Sequence, residues 1–403
     1  MSGLDPSPEV VELRSRVRAF VDERVIAAEP VLDRHDDEAA AAMRDLQGQA
    51  KDAGLWALGL PEEIGGGGLD FLPYCHVNEE VGRSEHAMVA LGTHSAQDAT
   101  MLHLFGTPEQ KERWLLPLVA GDIYPSIGMT EPDAPGSDPT QVATTAVLDD
   151  GEWVIDGRKW FTTGANVAAF TTVFAVTDPD APAHGRCSLI MVPTDSPGYE
   201  IERVIPVMGE TGGAHCEVRL DGVRVPADSL LGPRGQAFKI AQARLGPGRI
   251  YHCMRWLGQA QRAFDLMCER ALARSVAGGR LAHKQLVQAF IADSAAEIHA
   301  ARLMTLDAAA RIDAGDDARV EISLIKFFGA KVLHDVVDRA IQVHGALGVS
   351  GDTPLEGMYR RARLARFYDG PDEVHRISVA RRILSGYEDV SGERPRSGCR
   401  GGR

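Results

Sequence analysis

The sequence is short of positive charge: 43 Lys and Arg against 57 Asp and Glu give a formal net charge of -14. A nucleic-acid or anionic-membrane partner needs a basic face, so both are excluded as general expectations, although a local basic pocket is not. Cysteine is also sparse. The six present (Cys75, Cys187, Cys216, Cys253, Cys268 and Cys399) show no C-x-x-C pairing and no histidine at zinc spacing. No metal site is expected, and the thiols are read as reduced, which points to a cytoplasmic location. Long hydrophobic runs are missing too, so no membrane insertion is expected. The first 25 residues mix acids into an amphipathic pattern without an apolar core segment, unlike a signal or transit peptide. What remains is an ordinary globular composition, 44% hydrophobic and 25% charged over 403 residues, long enough for two or three packed domains.

The texture changes twice along the chain. Residues 1–122 carry apolar positions at helical spacing, broken at 60–70 and 105–110. The run Gly65 to Gly68 lacks the GK[ST] ending of a phosphate loop and is expected to be a flexible connection. Residues 123–235 are short β-branched runs separated by Asp-Gly steps, which signal hairpins and a small antiparallel β-domain. Helical spacing returns over 236–388, with Met254, Leu257, Phe264 and Met267 on one apolar face. The last stretch, 389–403, is rich in Gly, Ser and Arg and is expected to be a disordered tail. The fold class is therefore α+β: helical bundle, β-domain, helical bundle.

One stretch, "FYDGPDEVHR" at 367–376, places three carboxylates around a Gly-Pro step. Helix-start rules account for two of them. Gly370 suits the N-cap, Pro371 the first helical position, and Asp372 and Glu373 the first turn, where free N–H groups favour negative charge. Asp369 stays outside that explanation. Preceded by two aromatics, it could lie on an apolar wall, where desolvation raises a carboxyl pKa and suits it to taking a proton. A turn Asp before Gly is also common for conformational reasons alone.

From about residue 8 to 386, the order of these regions and six segments at their joints resemble the acyl-CoA dehydrogenase family. "GTPEQKERWLLPLVAG" (106–121) resembles the approach to the β-domain and "MTEPDAPGSD" (129–138) the flavin-binding signature. "RKWFTTGA" (158–165) is similar to the flavin-stacking strand and "VRVPADSLLGPRGQAF" (223–238) to the exit from the β-domain. "QVHGALG" (342–348) and "YDGPDEVHR" (368–376) resemble the adenine-binding and catalytic segments. The resemblance implies FAD, contacted by Met129, Thr130, Ser137, Trp160, Phe161 and Thr162 on the flavin side, by Arg274, Gln342, Gly345 and Ala346 from a neighbouring subunit, and by Pro371 and Glu373. It implies an acyl-CoA substrate beside Ser137, Gly246, Gly248, Arg249 and Gly370. Asp369 would be the α-proton base and flavin N5 the hydride acceptor, giving the trans-2-enoyl-CoA of fatty-acid β-oxidation. An electron-transfer flavoprotein or similar acceptor and a homodimer or homotetramer follow by the same analogy.

Several positions depart from the family pattern. The signature loop is one residue longer, Ala277 replaces an aromatic after Arg274, and Asp369 stands where Glu is usual. Some members carry the base just before the arginine corresponding to Arg249, where this chain has Gly248. The segments 244–255 and 368–375 look closest to a subfamily sometimes fused to a phosphotransferase-like kinase domain. That likeness opens a second reading, flavin-assisted phosphate elimination from a 4-phosphoacyl-CoA, for which Arg249, His252 and Arg255 are candidate cations. A DNA-binding flavoprotein of the same fold is a third, and the acidic balance argues against it.

Overall fold

The computed structural model describes residues 3–208 and 213–391. Helices form where the apolar spacing places them. The N-terminal region contains Pro8–Phe20 (α1), Asp37–Asp52 (α2), Phe71–Val81 (α3) and Ala96–Phe105 (α4). Ser7 starts α1 by accepting from the Val10 N–H, and Asp36 starts α2 by accepting from the Ala39 N–H. The glycine run is tied down by backbone hydrogen bonds rather than left as a free connection. Gly66, Gly67 and Gly68 donate their N–H groups to Pro61, Ala57 and Leu60 carbonyls, and a Cβ on Gly66 would stand 2.2 Å from the Leu60 carbonyl oxygen. Glycine is needed there because backbone packs on backbone.

The middle strands are Pro125–Gly128 (β1), Thr145–Asp149 (β2), Glu152–Thr163 (β3), Phe170–Val176 (β4), Cys187–Pro193 (β5), Tyr199–Val204 (β6), His215–Pro226 (β7) and Leu230–Leu231 (β8). They form one sheet in the order β6-β7-β3-β2-β4-β5-β8, with β1 beside β4. Most pairs are antiparallel, as expected of the domain, and β1 and β2 each run parallel to β4. The Asp-Gly steps also divide. Asp150-Gly151 turns the β2–β3 hairpin. Asp156-Gly157 and Asp221-Gly222 instead lie inside β3 and β7 at a register shift, where the Gly222 N–H donates to Asp156 Oδ1 at 2.7 Å. They bend long strands rather than end short ones.

The C-terminal region comprises Ala237–Ala273 (α5), Gln285–Asp313 (α6), Arg319–His344 (α7), Leu355–Leu364 (α8) and Asp372–Ser391 (α9). Residues from 392 onward, most of the expected tail, lie outside the described residues. One apolar core joins both helical regions, with Val17, Tyr74 and Val77 packed among Met254, Leu257 and Val336. A second joins α4, one face of β4 and β5, and the start of α5 through Leu102, Phe174, Leu189 and Ile240. Where α3 ends against α5, a Cβ on Gly82 would come 2.3 Å from the Arg255 Cα, and one on Gly258 2.0 Å from the Glu79 carbonyl oxygen. Among the described residues no helix is long and apolar enough to cross a membrane.

Candidate functional site

The signature loop 129–138 rests on a buried ion pair. Lys159 Nζ donates to Glu131 Oε1 at 2.8 Å and to the Phe174 and Met129 carbonyls at 2.7 and 3.3 Å. Glu131 also accepts from the Ala143 and Thr144 N–H groups. Burial pulls the Lys159 pKa down to about 8, opposed by Glu131. Strict alternation would turn Lys159 and Thr162 to opposite faces, yet both are buried. A second register shift between β3 and β7 falls between them, with Phe161 at φ 54°. The bulge sends the Trp160 N–H to the Thr130 carbonyl at 2.7 Å, tying the stacking strand to the signature loop. Thr162 Oγ1 and Trp160 Nε1 are buried without a hydrogen-bond partner in the protein. An indole N–H and a hydroxyl left unsatisfied beside Met129 and Thr130 fit a flat heterocycle with a polar edge, as an isoalloxazine ring has.

Asp369 sits in the loop before α9 in a left-handed conformation, φ 54°. Long-range donors hold that loop. Arg249 Nε donates to the Asp369 carbonyl at 2.9 Å, and His375 Nε2 lies 3.1 Å from the same oxygen. The fully buried Lys326 donates to the Ala365 and Gly370 carbonyls at 2.7 and 3.1 Å. Asp372 is buried as well and pairs with Arg366 at 2.8 Å, so it anchors the helix start rather than serving as a solvated first-turn charge.

The carboxyl of Asp369 differs from its expectation. Burial does push its pKa up, but the His252 ring, then Arg244 and Arg249, overcome that and hold it well below the usual carboxylate range. His252 Nε2 lies 3.3 Å from Asp369 Oδ2. Arg244 is itself paired with Asp98 at 3.0 Å. Gly248 is buried, and a Cβ there would stand 1.7 Å from Gln97 Nε2, an amide without a partner. His94, three residues earlier on the chain, has both ring nitrogens buried and unpartnered, and burial lowers its pKa to about 4. Gly246 faces open space.

The remaining residues named from the sequence are spread more widely. Ser137, Phe161 and Glu373 are exposed, Pro371 and Gly370 half-buried. Arg274, Gln342, Gly345 and Ala346 are exposed on the single chain. Ala277 takes φ 48° in the tight turn of a small hairpin, Ser275–Val276 against Gly279–Arg280, a conformation that strains a bulky aromatic. Sequence reasoning passed over Lys159, Glu131, Lys326, Arg244, His94 and Gln97. Lys326 alone gave a signal, as a lysine on an apolar helical stripe with Ile322, Ile325 and Val336, all buried.

Known proteins resemble this chain over most of its length. The N-terminal, middle and C-terminal domain models of acyl-CoA dehydrogenase match residues 7–122, 126–223 and 235–384. A Mycobacterium tuberculosis protein described as "Probable acyl-CoA dehydrogenase FadE2" is 44% identical over 94% of this chain and 96% of its own length. "Acyl-CoA dehydrogenase family member 10" of Mus musculus is 40% identical over 94% of this chain, which spans 37% of the mouse protein. The solved structure of a Bacillus anthracis acyl-CoA dehydrogenase complexed with FAD superposes with a TM-score of 0.84 at 27% identity, over 96% of this chain and 69% of that one.

Proposed function

Because the chain belongs to the acyl-CoA dehydrogenase family of FAD-dependent oxidoreductases, we propose that it converts a saturated acyl-CoA to the trans-2-enoyl-CoA with Asp369 as the α-proton base. The observation that carries this is the position of Asp369. It is the motif-matched carboxylate, held by Arg249, His375 and Lys326 through backbone oxygens, so that its side chain is left for other work. Bound FAD supplies the acceptor for the β-hydride. The Gly370 N–H, by family analogy, donates to the thioester carbonyl and so acidifies the α-proton. Asp369 then takes that proton as the Cα–H bond breaks. Its low basicity in the resting protein suits a base that works only once an acyl chain has expelled water and raised its proton affinity. Gly246 leaves room for the pantetheine arm, with Ser137 alongside.

Thr130, Thr162 and Trp160 would hold the flavin, and Arg274 with Gln342 to Ala346 the adenosine and pyrophosphate of a neighbouring subunit's FAD. A homodimer or homotetramer follows from that sharing. The exposed apolar residues Ile377, Ile383, Leu384 and Tyr387 of α9 add surface for assembly. An electron-transfer flavoprotein is proposed as acceptor, and the cytoplasm as location.

One observation favours the second reading, phosphate elimination from a 4-phosphoacyl-CoA. His94 and Gln97 offer unpartnered donors in the same neighbourhood as Gly248, Arg249 and Arg244, where a simple alkyl chain would satisfy none of them. Anaerobic titration with a panel of acyl-CoAs and a 4-phosphoacyl-CoA separates the two. Bleaching of the oxidised flavin by an unsubstituted acyl-CoA supports dehydrogenation, and phosphate release without it supports elimination. Asp369→Asn should lose either reaction by roughly two to four orders of magnitude while keeping its FAD; undiminished turnover would sink the assignment.

A further inference from the structure

The histidine beside Asp369 has a tautomer that the structure decides. His252 lies on α5 with Asp369 Oδ2 on one side, 3.3 Å from Nε2, and Arg255 on the other, whose guanidinium is 2.9 Å from Nδ1. A guanidinium only donates, so Nδ1 must accept and carry no proton. The remaining proton of the neutral ring is then on Nε2, facing the carboxylate. We propose that His252 is a positioning residue for Asp369: Arg255 locks the ring as the Nε2–H tautomer, which donates to Oδ2 and leaves the other carboxylate oxygen to receive the proton. The proposal rests on the reading of Asp369 as the base.

The tautomer separates two roles that a His–Asp contact can have. A ring with Nε2 already protonated cannot take the proton from Asp369 or replace it as the base. It can orient the carboxylate and stabilise its ionised form. Neutrality suits that role, because both nitrogens of an imidazolium are donors and Nδ1–H would then oppose Arg255. The groups facing the ring favour the neutral form. Burial, then Arg255 on the same helix, and more weakly Lys326 from α7, lower its pKa, against Asp369 from the loop before α9, which raises it. Tyr368 and Trp256 flank the ring, 4.9 and 6.1 Å away, with the Trp256 N–H donating to the Tyr368 hydroxyl at 2.6 Å. Around Asp369 the other cations are Arg244 and Arg249 of α5, while His375 of α9 meets its backbone. At 3.3 Å the contact stops short of a hydrogen bond, and Oδ2 has no hydrogen-bond partner in the free protein; an approach of this kind tightens into one when substrate arrives.

Nuclear magnetic resonance of the holoenzyme tests this without turnover. With 15N-labelled histidine, assigned through His252→Gln, His252 should show a protonated Nε2 and a bare Nδ1. With 13C-labelled aspartate, assigned through Asp369→Asn, the Asp369 carboxyl should stay ionised through the ordinary carboxylate range. His252→Met should raise its titration midpoint by about one pH unit or more, and Arg255→Met should raise it too by freeing the ring to change tautomer. His252→Gln, whose amide can still donate, should keep the midpoint near that of the unsubstituted protein. A protonated Nδ1, or a midpoint that none of these substitutions moves, overturns the proposal. The unsubstituted protein's 15N spectrum decides the tautomer even where a variant does not fold. If the spectra hold while Asp369→Asn still turns over, the base assignment has failed and the pairing has not.

Discussion

Asp369 combines a left-handed backbone, a largely buried side chain and cations on several sides. Each restricts what can replace it. Asp369→Glu should fold and keep its flavin, since the loop is held through backbone carbonyls. The longer side chain moves the carboxylate past His252 and past the α-carbon, so reduction by acyl-CoA in stopped-flow should slow by roughly ten- to a hundredfold. Moving a carboxylate to position 248 should not take over the role of Asp369. In an Asp369→Asn background, Gly248→Glu should fail to restore flavin reduction, because the new Cβ meets Gln97 Nε2 before the carboxylate is placed. Recovery of activity would show that Gln97 yields. His94 belongs to a different measurement. Its folded pKa, about 4, lies below the ordinary 6.5, so the unfolded chain binds more protons between those values. Its contribution is complete above pH 6.5 and is lost as pH falls toward 4. His94→Gln should flatten the acid loss of stability across that window by up to about 1.4 kcal/mol per pH unit in urea titrations.

At the level of elements, β3 matters most, since its bulge at 160–161 puts both Lys159 and Thr162 on the buried side. Lys159→Met would leave Glu131 buried without its cation, which costs about 3–5 kcal/mol. It should therefore lower thermal stability and release FAD together, read from melting curves and from the absorbance of the retained flavin. The bulge also shows where sequence reading reached its end. Trp160, Thr162 and the signature loop were legible because they are contiguous motifs, and the three-region order was legible from periodicity. The Lys159–Glu131 pair spans 28 positions and the Arg249–Asp369 contact 120, so no local pattern announces either. The cations near Asp369 likewise left its environment to be guessed from two aromatic neighbours. Burial does raise its pKa, as an apolar wall would, but His252, Arg244 and Arg249 outweigh it. Two Asp-Gly steps were read as turns because the signal is local, while a bulge is specified by the strand across from it.

For the whole molecule, the single chain leaves Arg274, Gln342, Gly345 and Ala346 exposed, far along the sequence from the signature loop. If they serve a neighbour's FAD, cofactor retention and assembly are one equilibrium. Arg274→Ala should weaken both together, by on the order of 1.5–3 kcal/mol for a lost contact to phosphate, seen as parallel shifts in sedimentation and in FAD content on dilution. Loss of one without the other would separate the two functions. The crossing of α3 and α5 at Gly82 and Gly258 bears on heat. Most helix pairs meet through side chains that change rotamers as temperature rises, and they loosen by degrees. A contact of backbone on backbone has no rotamers to repopulate, and Arg255, the lock on His252, stands on it. The alignment of the Asp369 carboxylate should therefore hold up to the melting transition and then fail all at once, so that, if Asp369 is the base, an Arrhenius plot of flavin reduction runs straight until the protein unfolds.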